Sequence, residues 1–282
     1  MTQRLVDISA HIDGIRQLGS VVNAMRGIAG ARTQQAREGL LAVDGYAATI
    51  AAAIGEVSAL LPEPGAASRR QKPAVLVVFA GEEGFAGNYS DRVLGLAAGE
   101  TADDVFLVGS RGVEMAATHG LAPVWTAAMP GHPSGVPRLA EDIAAALYER
   151  IAAGSIDRIT AVFASWQPGS GLLLRRQTLL PLDPASFAAS GAGMTPLFNL
   201  PPARLLDQLV ADYVHACLCQ AALHAFAAEN EARIEAMAAA TREIDRQLDL
   251  LERQRRIVRQ DEITAEIIEL AAGEAAARSR RA

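Results

Sequence analysis

"RIEAMAAATREIDRQLDLLERQRRIVRQDEITAEIIEL", Arg233–Leu270, contains neither glycine nor proline. The gap between helix breakers runs from Ala203 to Ala272 and is rich in Ala, Leu, Glu and Arg, all strong helix formers. Pro201 and Pro202 suit a helix start. Unbroken, this helix would be ~105 Å long at 1.5 Å per residue. Ordinary globular helices stop at roughly 20 residues, so the length calls for a coiled coil, a membrane span or a repeat array. No internal repeat is visible. No uninterrupted apolar run approaches the ~18 residues of a membrane span, so a coiled coil is expected.

The heptad pattern agrees. Ile234, Met237, Thr241, Ile244, Leu248 and Leu251 alternate spacings of three and four, the signature of a two-helix seam. Arg255 and Val258 are next, and the stripe then fails. It resumes, shifted, at Ile263, Ile267 and Leu270, where the helix is expected to change partner or register. The N-terminus carries a matching seam at Leu5, Ile8, Ile12 and Ile15, and after a slip at Leu18, Val21, Met25 and Ile28. Gly14, Gly19, Gly27 and Gly30 each weaken that helix by up to ~1 kcal/mol relative to Ala. It therefore needs a partner, and the C-terminal helix is the obvious one. Helical character lasts to about Leu60, before the linker composition of "PEPGAASRRQKP".

Between the helices the texture changes. "AVLVVFA" (Ala74–Ala80), "DVFLVGS" (Asp104–Ser110) and "RITAVFAS" (Arg158–Ser165) read as buried strands. Helical stretches near Tyr89–Ala98, Arg111–His119 and Pro137–Ala153 separate them, which predicts an α/β domain with a parallel sheet. "LLLRRQTLLP" (Leu172–Pro181) reads as a further strand near an edge, and "PLDPASFAASGAGMTP" as a loop. The fold expected is α/β: a long antiparallel coiled coil of the N- and C-terminal helices with an inserted α/β domain. Its bounds are 1–60, 73–200 and 201–282.

Composition limits the chemistry. The chain has 282 residues, half of them apolar, and a net charge of −6. That charge gives no general attraction to nucleic acid or anionic lipid. Lys72 is the only lysine, and the excess of Arg and Ala fits a high-GC bacterial genome. "MTQRLVDISAHID" lacks the apolar core of a signal peptide. Cys217 and Cys219 lie two apart on a helix and point to nearly opposite faces, suiting neither a disulfide nor a shared metal site. A reducing, cytoplasmic compartment fits.

"FAGEEGFAGNYSD" follows the first strand, where dinucleotide-binding folds place GxGxxG. Gly81, Gly84 and Gly87 do not have that spacing, there is no phosphate-loop lysine, and Glu82 and Glu83 would repel a phosphate. A structural strand-to-helix turn is the simpler reading. His11, His119, His132, His215 and His224 are scattered and suggest no metal site. Ser165 and Ser170 lack the context of a nucleophile, and Asp103 and Asp104 read as solvated loop residues. No catalytic residue, cofactor or metal is expected. Arg253, Arg255, Arg256 and Arg259 are either a solvated face paired with Glu252, Asp261 and Glu262, or a grip for a partner protein. Interleaved acids argue against nucleic acid. From the residues alone, a free-standing coiled-coil adaptor with an α/β docking domain stays open. An α/β nucleotide-binding enzyme with helical arms is disfavoured by the missing phosphate loop.

Both ends of the chain carry a resemblance. "ENEARIEAMAAATREID" (Glu229–Asp245) is similar to "SExxARMxAMxxATxNA", and "RQDEITAEIIELAAGEAA" (Arg259–Ala276) to "RQAxITxEIxEIxxGAxA". "VVNAMRGIAGAR" (Val21–Arg32) resembles "ITKAMxMVAASK", and "GFAG" (Gly84–Gly87) matches the glycines of "DRGLCGxxN". These are segments of the gamma subunit of F-type ATP synthases, the central rotor stalk. The resemblance implies a Rossmann-like α/β domain that binds no nucleotide. It implies a C-terminal helix that outlasts its N-terminal partner and turns inside a hexamer of alpha and beta subunits, with an epsilon subunit and a membrane rotor ring as further partners. The chain would do no bond chemistry itself. It would sit peripherally, without direct membrane insertion, on the cytoplasmic face of a bacterial inner membrane. Arg259, Gln260 and Thr264, with Arg256 beside them, match positions that contact the beta subunits; Met25 matches the N-terminal collar. The family's lysines near the collar are Ser20 and Asn23 here, its "SDR" is Gly81–Glu83 and its Cys is Ala86. Such departures are compatible with a divergent bacterial paralogue.

Overall fold

The computed structural model describes residues 2–61, 73–154, 156, 158–182, 187 and 199–279. Most of the "PEPGAASRRQKP" linker and of the "PLDPASFAASGAGMTP" loop lies outside them. Two helices dominate the chain: α1 (Thr2–Ser58) and α5 (Pro202–Ser279). Residues 1–28 with 235–282 form one compact unit and residues 29–234 a second.

In the first unit the helices run antiparallel. Ile8 and Ile12 pack with Val258, flanked by Leu5, Leu248 and Leu251. Val22 packs with Met237 and Ile244, flanked by Ile15 and Met25. Arg16 reaches Glu252 at 2.9 Å. The C-terminal seam thus lies where its spacing places it, and its contact persists through Val258.

The N-terminal seam does not slip as the large apolar residues suggest. Leu18, Val21 and Ile28 are exposed, whereas Val22 and Ala29 are buried. The line facing α5 runs Ile12, Ile15, Gly19, Val22, Met25, with Ile12 and Val22 buried and the others half-buried; a Cβ on Gly19 would sit 3.4 Å from the Ile244 Cγ2. Small residues let the helix axes approach, so Ile244 occupies space that a larger side chain at position 19 would take. Val22 is 7% exposed and Val21 54%. Val22→Ala should therefore lower stability by roughly 1–2 kcal/mol. Val21→Ala should stay within about 0.5 kcal/mol. Urea titration of both variants checks this, and equal losses would mean the coil uses the other register.

The second unit holds a five-stranded sheet in the order β3-β2-β1-β4-β5. The strands are β1 (Ala74–Phe79), β2 (Asp104–Val108), β3 (Trp125–Ala127), β4 (Arg158–Gln167) and β5 (Gly171–Leu180). β1 pairs in parallel with β2 and β4, β2 in parallel with β3, and β5 closes one edge antiparallel to β4. The central β1 is buried along its whole length, which accounts for its unbroken apolar run. α2 (Tyr89–Ala98) and α3 (Ser110–Ala116) lie on the face of Leu76, Val78 and Val162. α4 (Val136–Ala152) covers the face of Val75, Val77 and Phe79, together with Ala36 and Leu40 of α1 and Val214–Ala227 of α5. This is a doubly wound sheet. β3 is the element that sequence pattern did not mark.

By length and composition alone α1 and α5 each contain an 18-residue window apolar enough to cross a bilayer, a test that the core helix of a folded domain also passes. The α5 window is 56% buried within the protein, because its Ala, Leu, Phe and Cys side chains pack on the sheet.

Candidate functional site

Open α/β sheets bind ligands in the crevice outside the carboxyl ends of their strands. Here that crevice is a cleft of about 540 Å³ lined by Glu82, Glu83, Phe85, Asp91, Ser110 and Glu114, among others. The backbone N–H groups of Glu82 and Glu83, at the turn after β1, donate to the two carboxylate oxygens of Glu229 at 3.1 and 3.0 Å. Arg233, one helical turn further along α5, donates to the same carboxylate at 2.6 Å. Both side chains are only 4% exposed. Arg233 also donates to Asn230 Oδ1 and to the Gly84 carbonyl. Glu83 is joined by Arg32 of α1 at 3.1 Å.

Glu82 turns the other way. Its carboxylate accepts from Ser110 N and Met129 N, both at 2.8 Å, and from Ser110 Oγ at 2.7 Å. It ties together the ends of β1 and β2 and the segment after β3. Tyr89, fully buried at the start of α2, donates to the Ala225 carbonyl at 3.1 Å. Burial, with Glu229 adding to it, holds its hydroxyl well above the usual tyrosine range. The "GEE" turn is therefore structural, as its residues suggest. The Glu82 carboxylate fastens neighbouring strand ends, the Glu83 carboxylate pairs with Arg32 of α1, and Glu229 supplies the negative charge facing the turn.

The remaining polar candidates have structural partners. Asp103 accepts from Ala74 N at 2.8 Å and Asp104 pairs with Arg150. Both anchor strand ends: Asp103 stays an exposed loop residue, whereas Asp104 is half-buried within β2, which corrects its reading as a solvated loop residue. Ser165 accepts from Arg175 Nε at 3.0 Å. Among the described residues no three His, Cys, Asp or Glu side chains gather as a metal would need. Cys217 and Cys219 are buried free thiols. Burial pushes the Cys219 thiol up to about 11, away from thiolate reactivity.

The partner-contact candidates sit elsewhere. Arg256, Arg259, Gln260 and Thr264 are all exposed on α5. Thr264 donates to the Gln260 carbonyl at 2.9 Å, one turn back on the same helix, which places those two on one side. Arg253, Arg255, Arg256 and Arg259 form no salt bridge with any described residue; Glu252 is engaged by Arg16 instead. Met25 is half-buried against the Val22–Met237–Ile244 cluster, so part of it belongs to the coil's own seam. Beyond Ala265 every described side chain of α5 is exposed. Ile263, Ile267 and Leu270 are 49%, 60% and 75% exposed, so the resumed stripe does not pack on α1. The Glu229–Arg233 pair escaped sequence reading, although "ENEAR" directly after the mostly apolar residues 214–228 was its signal.

The family model described as ATP synthase matches residues 4–277 of this chain. The ATP synthase gamma chain of Chlorobium limicola is 26% identical over 288 residues, covering 95% of this chain and 97% of that relative. That of Anaeromyxobacter dehalogenans is 27% identical over 288 residues, covering 95% and 98%. Among solved structures, the chain is similar in fold to one from the rotor of the Euglena gracilis mitochondrial ATP synthase. The TM-score is 0.62 at 13% identity, with 93% of this chain and 100% of that one covered. A chain from the central stalk and c-ring of the Tetrahymena thermophila mitochondrial ATP synthase aligns with TM-score 0.54 at 15% identity, covering 78% and 99%.

Proposed function

Because this chain belongs to the ATP synthase gamma-chain family, we propose that it is the central-stalk rotor subunit of a bacterial F-type ATP synthase or ATPase. It couples ion movement through a membrane rotor ring to ATP synthesis or hydrolysis at the beta subunits. It is one subunit of that enzyme and carries no catalytic centre of its own. Its partners are the alpha and beta subunits, the epsilon subunit and the ring. It sits peripherally on the cytoplasmic face of the inner membrane. In this reading residues 1–60 and 201–282 are the shaft and 73–200 the docking body.

The observation that carries the reading is the bare end of α5. A helix that keeps Ile263, Ile267, Ile268 and Leu270 exposed, with unpaired arginines beside them, is built to be surrounded by other proteins. A shaft has asymmetric faces, so each beta subunit meets a different one at any angle. Contacts that differ between open and closed states bias nucleotide affinity by their difference in free energy. Mixed charge with few apolar anchors suits contacts remade at each step.

Arg259 and Gln260 project ~100° apart on the helix, so they can engage adjoining surfaces of one beta subunit. Arg259 offers a fork for carboxylates, and Gln260 both a donor and an acceptor. Thr264 shares Gln260's side of the helix, Arg256 precedes Arg259 by one turn, and the exposed part of Met25 contributes from α1. Losing a charge-assisted hydrogen bond costs about 1.5–3 kcal/mol in the state that makes it. Arg259→Ala and Gln260→Leu should leave the thermal unfolding of the lone subunit unchanged. The same variants should lower ATP hydrolysis, or assembly, after reconstitution with alpha and beta. Wild-type hydrolysis and assembly in both variants would remove these residues from the coupling mechanism.

A further inference from the structure

The crevice of an open α/β sheet is where such folds receive anionic ligands, on backbone N–H groups at strand ends. In this chain the equivalent groups are already engaged. We propose that the turn at the carboxyl end of β1, beside this crevice, is an anion site whose bound ligand is the protein's own Glu229 carboxylate. Small carboxylate- or phosphate-class anions would enter it only when that side chain is removed.

The donors converge as they would on a foreign anion. Glu82 N and Glu83 N take one oxygen each, and the Arg233 guanidinium shares an oxygen with Glu83 N. Arg233 is nine-tenths or more buried and is held on its other edge by Asn230 Oδ1 and the Gly84 carbonyl, so its charge points into the site. Gly81 lets the turn lie close against Ser90 of α2, while its distance to Glu229 is an ordinary contact. A Cβ there would lie 2.5 Å from Ser90 Oγ and 3.8 Å from the Glu229 carboxyl carbon. The site is thus a fixed set of three donors, one of them a buried cation, around a carboxylate brought by the long helix.

Filling the site internally has two effects. It takes the Glu82 and Glu83 N–H groups away from nucleotides and free phosphate. It also fastens the turn after β1 to α5, while Arg32 fastens Glu83 to α1. The α/β body is held to both long helices through one network. Its service in carrying torque rests on the rotor function proposed above; the anion site itself does not.

The test uses the full chain alone, so its failure is separable from failure of the rotor reading. Amide exchange is followed at Glu82 and Glu83 in wild type and Glu229→Ala, with sodium acetate, inorganic phosphate or sodium chloride at equal ionic strength. In wild type no salt should alter protection. In Glu229→Ala both amides should exchange roughly tenfold faster. Acetate or phosphate, and not chloride, should restore protection and raise the melting temperature. Unchanged exchange, faster exchange that neither anion reverses, or protection of the wild type by phosphate would each overturn the proposal. Should Glu229→Ala fail to fold, Glu229→Gln serves. It keeps the shape and loses the charge, so the amides should exchange faster and no anion should restore them, because the carboxamide fills the space. Wild-type protection in Glu229→Gln would overturn the proposal.

Discussion

Arg233→Met will destabilise the chain by roughly 3–5 kcal/mol, the usual cost of removing one partner from a buried ion pair. The replacement keeps much of the side-chain volume and removes the charge. Glu229 then remains 3% exposed, with two backbone N–H donors and no cation. Gly84 and Asn230 lose a donor as well. A protein stable by about 5–15 kcal/mol notices such a loss. Adding Glu229→Gln should recover part of it, because the neutral amide no longer needs the guanidinium. The double variant should therefore lose less than the two single losses added together. Urea midpoints of the four proteins complete the cycle. Additive losses would show that the two side chains do not act as a pair.

Gly109→Ala is expected to cost roughly 3–5 kcal/mol, combining left-handed strain with overpacking against rigid backbone. Gly109 has φ 110° and closes β2. A Cβ there would lie 2.6 Å from the Ala80 carbonyl oxygen and 2.7 Å from that of Gly81. Neither atom can retreat. Ala80 N is bound to the Val108 carbonyl and Gly112 N to the Gly81 carbonyl, so the β1 and β2 ends are fixed to each other. Gly120 is the control: it also has positive φ, at 71°, with nothing near its missing Cβ. Gly120→Ala should cost only about 1–2 kcal/mol. Equal losses at the two positions would show that the close approach at Gly109 is unimportant.

These two sites show how local pattern and tertiary contact divide the information. The long helices, four of the five strands and the α/β order are legible because periodicity and helix-breaker spacing are local properties. The mean side-chain environment of a central strand is apolar on both faces, so β1 reads as buried from six residues alone. β3 has three residues and lies at the sheet's edge, where β2 is its one strand partner among the described residues. Its existence depends on the backbone groups that β2 offers, which no local pattern records.

The coil makes the same point more sharply. "LGSVVNAMRGIAG" supports two registers, one through Leu18, Val21 and Ile28 and one through Gly19, Val22 and Ala29. Hydrophobic size favours the first and the fold uses the second, because Ile244 fits against Gly19 and not against a leucine. Likewise, "ENEAR" contains an acid and a base four apart, as on many solvated helices. The strand-end N–H groups packed against it make that pair a buried one. Helix propensity, heptad spacing and strand runs are written in neighbouring residues, and they suffice to require two paired long helices with an inserted α/β sheet. Which helix faces meet, what occupies the N–H groups after β1 and which apolar stripe stays bare rest instead on the steric fit and charge of groups distant in the chain.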